Sequence, residues 1–316
     1  MRYGFYLPTR GACATPEAIE TFLQRGEALG FNSVMIADHV AFPTTIKSKY
    51  PYTVSGVFPG QGDALEQLTL VTFAAAKTRR LRLVTSVMIV PYRNPVVTAK
   101  ALATIDVLSK GRLTVGVGVG WLREEFEALA APDFDRRGAA TDEYIRIYKT
   151  LWTKSPASFA GDFYRFDELR SEPLPVQKPH PPLWIGGHSK PALRRAARLG
   201  DGWHPVGANP AVPLRPAELR ASLDELFRLT EAAGRDPKAL TISFKAPVYD
   251  TTLADAGETR RPFSGSTGEI MDDIATYARL GVSELIFDFR SERLPESIER
   301  MERFAATVMR TTAPIS

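Results

Sequence analysis

The feature that most constrains this chain is a regular switch in hydrophobic period. Short apolar runs of strand length alternate with segments whose apolar residues recur at helical spacing. Residues 3–7 form an apolar run closed by Pro8, which reads as a strand. Thr15-Pro16-Glu17 then supplies an N-cap, a proline at the first helical position and an acid in the first turn. Ile19, Phe22, Leu23, Gly26 and Leu29 share one helical face, and Gly30 provides the C-cap. Residues 33–37 are the next buried strand, ending at Asp38-His39. A strand–helix–strand unit of this length favours parallel pairing, because a parallel crossover needs a helix's worth of chain. The pattern continues with helix over 64–78, strand over 81–87, helix over 95–108, strand over 113–117 and helix over 137–152. After a proline-rich crossing come strand 183–186, helix 191–199, strand 202–204, helix 216–233, strand 240–245, helix 267–280, strand 283–287 and helix 296–309. About eight strands and eight helices in alternation, with no linker and no change of composition, predict one α/β domain over residues 1–316, a (β/α)8 TIM barrel. An open doubly wound sheet is the alternative. Irregular insertions at about 40–63 and 246–266 both follow strands, which places them at the C-terminal face where barrels carry their sites. Each reads as a lid over a site or as a packed dimer arm.

Composition excludes several classes. Hydrophobic residues make up 44% and charged residues 24% of the 316, so there is enough apolar surface to offset chain entropy and disorder is excluded. The single cysteine, Cys13, excludes an intrachain disulfide and any multi-cysteine metal centre. His39, His180, His188 and His204 are too scattered for a spaced metal motif. A net charge of +4 is small, and basic residues often adjoin acids, as in Arg123-Glu124-Glu125, which argues against a nucleic-acid partner. No apolar run approaches the ~18–20 residues of a membrane span, and the N-terminal run breaks at Pro8 before a signal core forms. A cytoplasmic protein is expected.

Four segments could carry chemistry. Asp38-His39 ends the second strand, where a carboxylate beside an imidazole fixes its tautomer and suits a general base; an N-cap aspartate next to a loop histidine is the plainer reading. Thr85-Ser86-Val87 ends the third strand, and Asn94 before Pro95 leads into the following helix. Gly116-Val117-Gly118-Val119-Gly120-Trp121 lacks the spacing of a dinucleotide loop. Its glycines would let a flat ligand approach the backbone, with Trp121 stacking on it or packing at the barrel rim. Gly186-Gly187-His188-Ser189 ends a strand and opens a helix, presenting N–H groups and a positive dipole end to an anion such as a cofactor phosphate. The same turn could be a tight connection in which Ser189 only caps.

Taken together these segments resemble the bacterial luciferase-like flavin/deazaflavin oxidoreductase family. The resemblance rests on Ala28-Leu29-Gly30-Phe31-Asn32-Ser33-Val34 leading to Asp38-His39, on Pro91-Tyr92-Arg93-Asn94-Pro95, and on Gly116 to Phe126. It continues through Arg136-Arg137-Gly138, Asp142-Glu143-Tyr144, residues 178–187 and Ala196-Ala197-Arg198-Leu199-Gly200-Asp201-Gly202-Trp203. It implies a barrel holding an isoalloxazine or deazaflavin ring at its C-terminal mouth, with the phosphate near Gly186, Gly187, His188 and Ser189. It also implies a non-proline cis peptide at Ser86–Val87, His39 with Asp38 at the reacting centre, and a homodimer. Ser86, Val87, Asn94, Gly118 and Trp121 would border the cofactor. The family usually places a small or polar residue where His188 stands, so this ring either reaches the phosphate or crowds it.

Pro91-Tyr92-Arg93-Asn94-Pro95 and the run Trp121-Leu122-Arg123-Glu124-Glu125-Phe126 look most like the deazaflavin (coenzyme F420) branch. The expected reaction is hydride transfer between F420 and a small organic substrate. The alternative is an FMN-dependent monooxygenase using reduced flavin and dioxygen, and a remote one is a phosphosugar isomerase or aldolase. That last reading needs a lysine at a strand end, and Lys245 is the only one so placed.

Overall fold

The computed structural model describes residues 1–60, 63–246 and 260–310. Its strands are β1 (Arg2–Tyr6), β2 (Ser33–Ile36), β3 (Arg82–Ile89), β4 (Leu113–Gly118), β5 (Ala157–Ala160), β6 (Arg165–Leu169), β7 (Leu183–Gly186), β8 (Gly202–His204), β9 (Thr241–Ala246) and β10 (Glu284–Phe287). Eight of them are parallel and close into a barrel in the order β1-β10-β9-β8-β7-β4-β3-β2. β5 and β6 form a separate antiparallel pair between β4 and β7. Around the barrel lie α1 (Pro16–Leu29), α2 (Gln67–Lys77), α3 (Pro95–Leu108), α4 (Arg123–Ala128), α5 (Arg137–Thr153), α6 (Lys190–Leu199), α7 (Pro216–Ala232), α8 (Thr267–Arg279) and α9 (Leu294–Phe304). The (β/α)8 TIM barrel expected from the alternation is the observed fold. No helix among the described residues is long and apolar enough to cross a membrane.

Local signals set most element ends. The Thr15 hydroxyl accepts from Ala18 N–H, Pro16 opens α1, and Gly30 closes it in the left-handed region at φ 90°. Asn94 caps α3 by accepting from Val96 and Val97, and Ser189 caps α6 by accepting from Ala192. The helix expected over 64–78 starts later, at Gln67, because the Glu66 carboxylate accepts from Thr69 N–H and acts as the cap. The strand expected over 81–87 runs on to Ile89 through a cis Ser86–Val87 bond. The β5–β6 pair was not foreseeable from apolar alternation, since most of its residues are exposed. The final helix ends at Phe304 and continues as a π turn over Ala305–Met309. Most of the insertion expected at 246–266 lies outside the described residues.

Inside the barrel, alternate residues of each strand face the axis and build layers. Near the N-terminal end the Ser33 hydroxyl donates to the buried Glu284 carboxylate. Gly4 lies between them: an added Cβ would stand 2.3 Å from Ser33 Oγ, so only glycine fits. Above this, Met35, Val84, Trp184 and Ile286 form an apolar plug with Tyr6 packed against it. The plug is the floor on which the C-terminal mouth is built.

Candidate functional site

A cavity of about 450 Å³ opens above the plug at the C-terminal ends of the strands. Tyr6, Ser86, Lys245 and Asp288 form its inner wall, and the segment after β2 supplies Tyr50, Tyr52 and Phe58 as its outer wall. Trp121 joins this aromatic group, with ring centroids 5.0 Å from Tyr50 and 5.4 Å from Phe58. His39 and Trp121, both named from sequence, therefore line one cavity, together with Asp38, Ser86 and Val87.

His39 is oriented by an acid, but not by its neighbour. Its Nδ1 lies 2.9 Å from Oε2 of Glu125, which is 86 residues away and fully buried. Glu125 also accepts from the Tyr92 hydroxyl at 2.9 Å and from the N–H groups of Val40 and Ala41 at 2.7 and 3.1 Å. Burial opposes its charge, yet these bonds outweigh burial and hold its pKa below the ordinary carboxylate value. An ionised Glu125 accepts a hydrogen bond from Nδ1–H, which keeps that proton on Nδ1 and leaves Nε2 as the basic ring nitrogen. Among the described residues Nε2 has no partner, and the ring borders the cavity.

The expectation that Asp38 fixes the His39 tautomer is corrected by this geometry. Arg93 grips the Asp38 carboxylate with both terminal nitrogens, at 2.8 and 2.7 Å, and the Ile89 N–H donates to it at 2.8 Å. Arg93 also reaches Glu66 at 2.8 Å. Successive residues at a strand end point to opposite sides, so Asp38 and His39 diverge. Asp38 ties β2, β3 and the start of α2 together beneath the histidine.

Short helix α4 anchors the insertion through two adjacent acids. Glu125 holds Val40 and Ala41, while Glu124 accepts from Lys47 N–H at 2.6 Å, Ser48 N–H at 3.0 Å and the Ser48 hydroxyl at 2.7 Å. Burial is the largest single effect and raises the Glu124 pKa, but the Ser48 hydroxyl and the N–H donors together outweigh it and pull the value down to about 2.

The glycines divide into two kinds. An added Cβ on Gly118 or Gly186 would meet the Val87 side chain at 2.6 and 2.9 Å, so these positions are glycine to receive the residue after the cis bond. Gly187 takes φ 86° and begins the turn into α6, and its carbonyl accepts from the Trp203 indole at 2.7 Å. The turn is thus pinned from β8 while His188 and Ser189 are exposed. The 186–189 turn does not line the cavity; it sits at the helix N-terminus beside the mouth. Asn94 is exposed and donates its amide to the Tyr164 hydroxyl at 2.8 Å, besides capping α3.

Three residues escaped the sequence reading. Glu125 was visible only as an acid adjoining Arg123 and as part of the run from Trp121 to Phe126. His204, fully buried on β8, bridges the Ser86 and Ser243 hydroxyls at 3.0 Å each. Burial, with the nearby Lys245 charge, holds its pKa well below the ordinary imidazole value, so the ring is neutral. Asn209, in the loop after β8, lines the cavity and keeps its amide nitrogen buried without a partner among the described residues. Lys245, read from sequence only as a strand-end lysine, lines the same cavity and is 95% buried, and burial pushes its pKa down to about 7.

The geometry can be set beside known proteins. The family model for luciferase-like monooxygenase matches residues 1–315. An uncharacterized protein of Mycobacterium tuberculosis is 32% identical over 293 residues, covering 90% of this chain and 91% of that protein. The FMNH(2)-dependent dimethylsulfone monooxygenase of Pseudomonas putida is 34% identical over 181 residues, covering 57% of this chain and 48% of that protein. An F420-dependent secondary alcohol dehydrogenase, solved with an F420-acetone adduct, superposes with a TM-score of 0.76 at 17% identity over 99% of both chains.

Proposed function

The chain belongs to the luciferase-like monooxygenase family, and from that premise we propose that it is an oxidoreductase that transfers a hydride between a deazaflavin, coenzyme F420, and a small organic substrate. Membership of this family of flavin- or F420-dependent oxidoreductases leaves the phosphosugar isomerase or aldolase reading without support. The observation that carries the proposal is the pairing of buried Glu125 with half-buried His39 at the rim of an otherwise largely apolar cavity. Such a pair serves a reaction in which a substrate oxygen gains or loses one proton as the hydride moves.

The residues present fit a phosphate-bearing flat cofactor. The 186–189 turn opens α6 with a positive-φ glycine and a serine cap, which is the kind of helix start that accepts an anion. Val87 and Ile89 give the mouth an apolar face at the cis bond. When bound, the deazaflavin supplies the two-electron chemistry as a hydride acceptor or donor. The chain does the rest. His39 holds or moves a proton at Nε2, Glu125 and Tyr92 fix the ring, and Tyr50, Tyr52, Phe58 and Trp121 exclude water from the reacting centre.

A second reading, reduced FMN with dioxygen, is favoured by the 34% identity to the Pseudomonas putida enzyme. Titration with F420 and FMN side by side, each oxidised and reduced, separates the two. The deazaflavin reading expects tight F420 binding and substrate-dependent absorbance change without oxygen uptake. Preferential FMN binding with oxygen consumption would replace it with the monooxygenase reading.

A further inference from the structure

We propose that the substrate of this cavity is an organic carboxylate with an apolar or aromatic body, whose carboxylate is held by Lys245 and Asn209. The inference rests on reading the cavity as the substrate site of the oxidoreductase proposed above. Its basis is a pair of unmet donors that line the one cavity. Lys245 is the penultimate residue of β9, with its side chain on the inward face shared with Ser243; it is 5% exposed and has no hydrogen-bond or ion-pair partner among the described residues. Asn209 is 7% exposed; its side-chain oxygen accepts from Ala211 and Val212, while its amide nitrogen is buried with no acceptor among the described residues.

A buried ammonium and a buried amide that meet no acceptor both lose the hydration they had in the unfolded chain. A cavity that retains two such donors gains most from a ligand bearing acceptors. The acids of the cavity cannot serve. Asp38 is gripped by Arg93, and Asp288 is engaged by Arg290 at 2.7 and 2.5 Å. An anion is therefore the missing partner of Lys245, and a carboxylate offers one oxygen to each donor. Tyr50, Tyr52, Phe58 and Trp121 line the same cavity, and their rings suit the apolar body of the same molecule.

The test uses the full-length protein without added cofactor and three matched probes, benzoate, benzamide and phenyl phosphate, with affinities from calorimetry. Wild type is expected to bind benzoate about tenfold or more tightly than benzamide, as a charge-assisted hydrogen bond in a dry site requires. Lys245→Met should bring benzoate down to the level of benzamide, and Asn209→Ser should narrow the preference with thermal unfolding unchanged. Benzoate bound no more tightly than benzamide, or a preference that survives Lys245→Met, overturns the proposal. Phenyl phosphate bound more tightly than benzoate overturns the carboxylate assignment in favour of a phosphoryl group. A Lys245→Met variant that loses F420 or FMN affinity while keeping its benzoate preference assigns the lysine to the cofactor and also overturns it. Because the probe arm contains no cofactor, a wild type that binds neither F420 nor FMN defeats the oxidoreductase reading separately.

Discussion

At the scale of single residues, the proposed chemistry rests on two ionisable groups of the cavity, half-buried His39 and buried Lys245. Removal of the imidazole in His39→Ala is expected to lower kcat by roughly 10²–10⁴-fold, the usual range for a general acid or base. Cofactor affinity should change far less, since the 186–189 turn does not line this cavity. Loss of cofactor and activity together would make His39 a packing residue. Glu125→Gln keeps the shape and removes the charge that orients the ring, so kcat should fall with the cofactor dissociation constant unchanged. The lysine behaves differently. Lys245 has a folded pKa of about 7 against an ordinary 10.5. Between those values the unfolded chain binds the proton and the folded chain does not, so stability rises with pH across the window. The penalty is complete below pH 7 and relieved as pH approaches 10.5. Lys245→Met should therefore stabilise the protein at pH 6 and flatten this dependence, by up to about 1.4 kcal/mol per pH unit. Denaturant midpoints at pH 6 and 9 measure it, and parallel curves for the two proteins would contradict the assignment.

At the scale of elements, the segment after β2 and the turn before α6 shape the mouth. The low periodicity of residues 40–63 suggested a lid, yet Glu124 and Glu125 of α4 hold the N–H groups of Val40, Ala41, Lys47 and Ser48. Hydrogen exchange should show these four amides protected without cofactor, leaving opening motion to the residues beyond them. Both carboxylates have depressed pKa values, Glu124 to about 2. Their contribution is present above the ordinary carboxylate range and is lost as pH falls through the folded values. Protection at Lys47 and Ser48 should accordingly persist at pH 4 and fail toward pH 2, and Glu124→Gln should abolish it at neutral pH. In the other element, Gly187→Val places a β-branched residue at φ 86°, with its Cβ 3.4 Å from the Ala192 methyl. The expected result is a cofactor dissociation constant raised about tenfold or more, with a stability loss of about 1–3 kcal/mol. An unchanged dissociation constant would remove the turn from the cofactor site.

At the scale of the whole molecule, chemistry and stability sit at opposite ends of the barrel. Near the start of β4, Arg112 donates to the carbonyls of Ala75, Thr78, Leu81 and Ser109 and to the Thr78 hydroxyl, closing the ends of α2 and α3 against β3. These acceptors lose their donors in Arg112→Ala, a cost of about 1–3 kcal/mol. Thermal unfolding should shift down by several degrees while kcat/KM is unchanged. A selective loss of activity would show that the two ends are coupled.

The sequence by itself determined the elements whose causes are local. The Thr15-Pro16 start and Gly30 stop of α1, the Asn94 and Ser189 caps, and the alternation that demands parallel crossovers each depend on residues within a few positions of one another. The family resemblance, rather than local logic, marked the cis bond at Ser86–Val87 and named His39, Trp121, Ser86 and Val87, which line one cavity. Tertiary structure decided who partners whom. Glu125 rather than Asp38 meets His39 because Arg93 and the Ile89 N–H hold the Asp38 carboxylate, while pairing of β2 with β3 and of β3 with β4 brings α4 over the strand end. Val87 fills the room left by Gly118 and Gly186 only once three strands lie side by side. Lys245 looks like any strand-end lysine until burial takes its water away without supplying an acceptor. Desolvation and long-range pairing are properties of the closed barrel, and no window of sequence contains them.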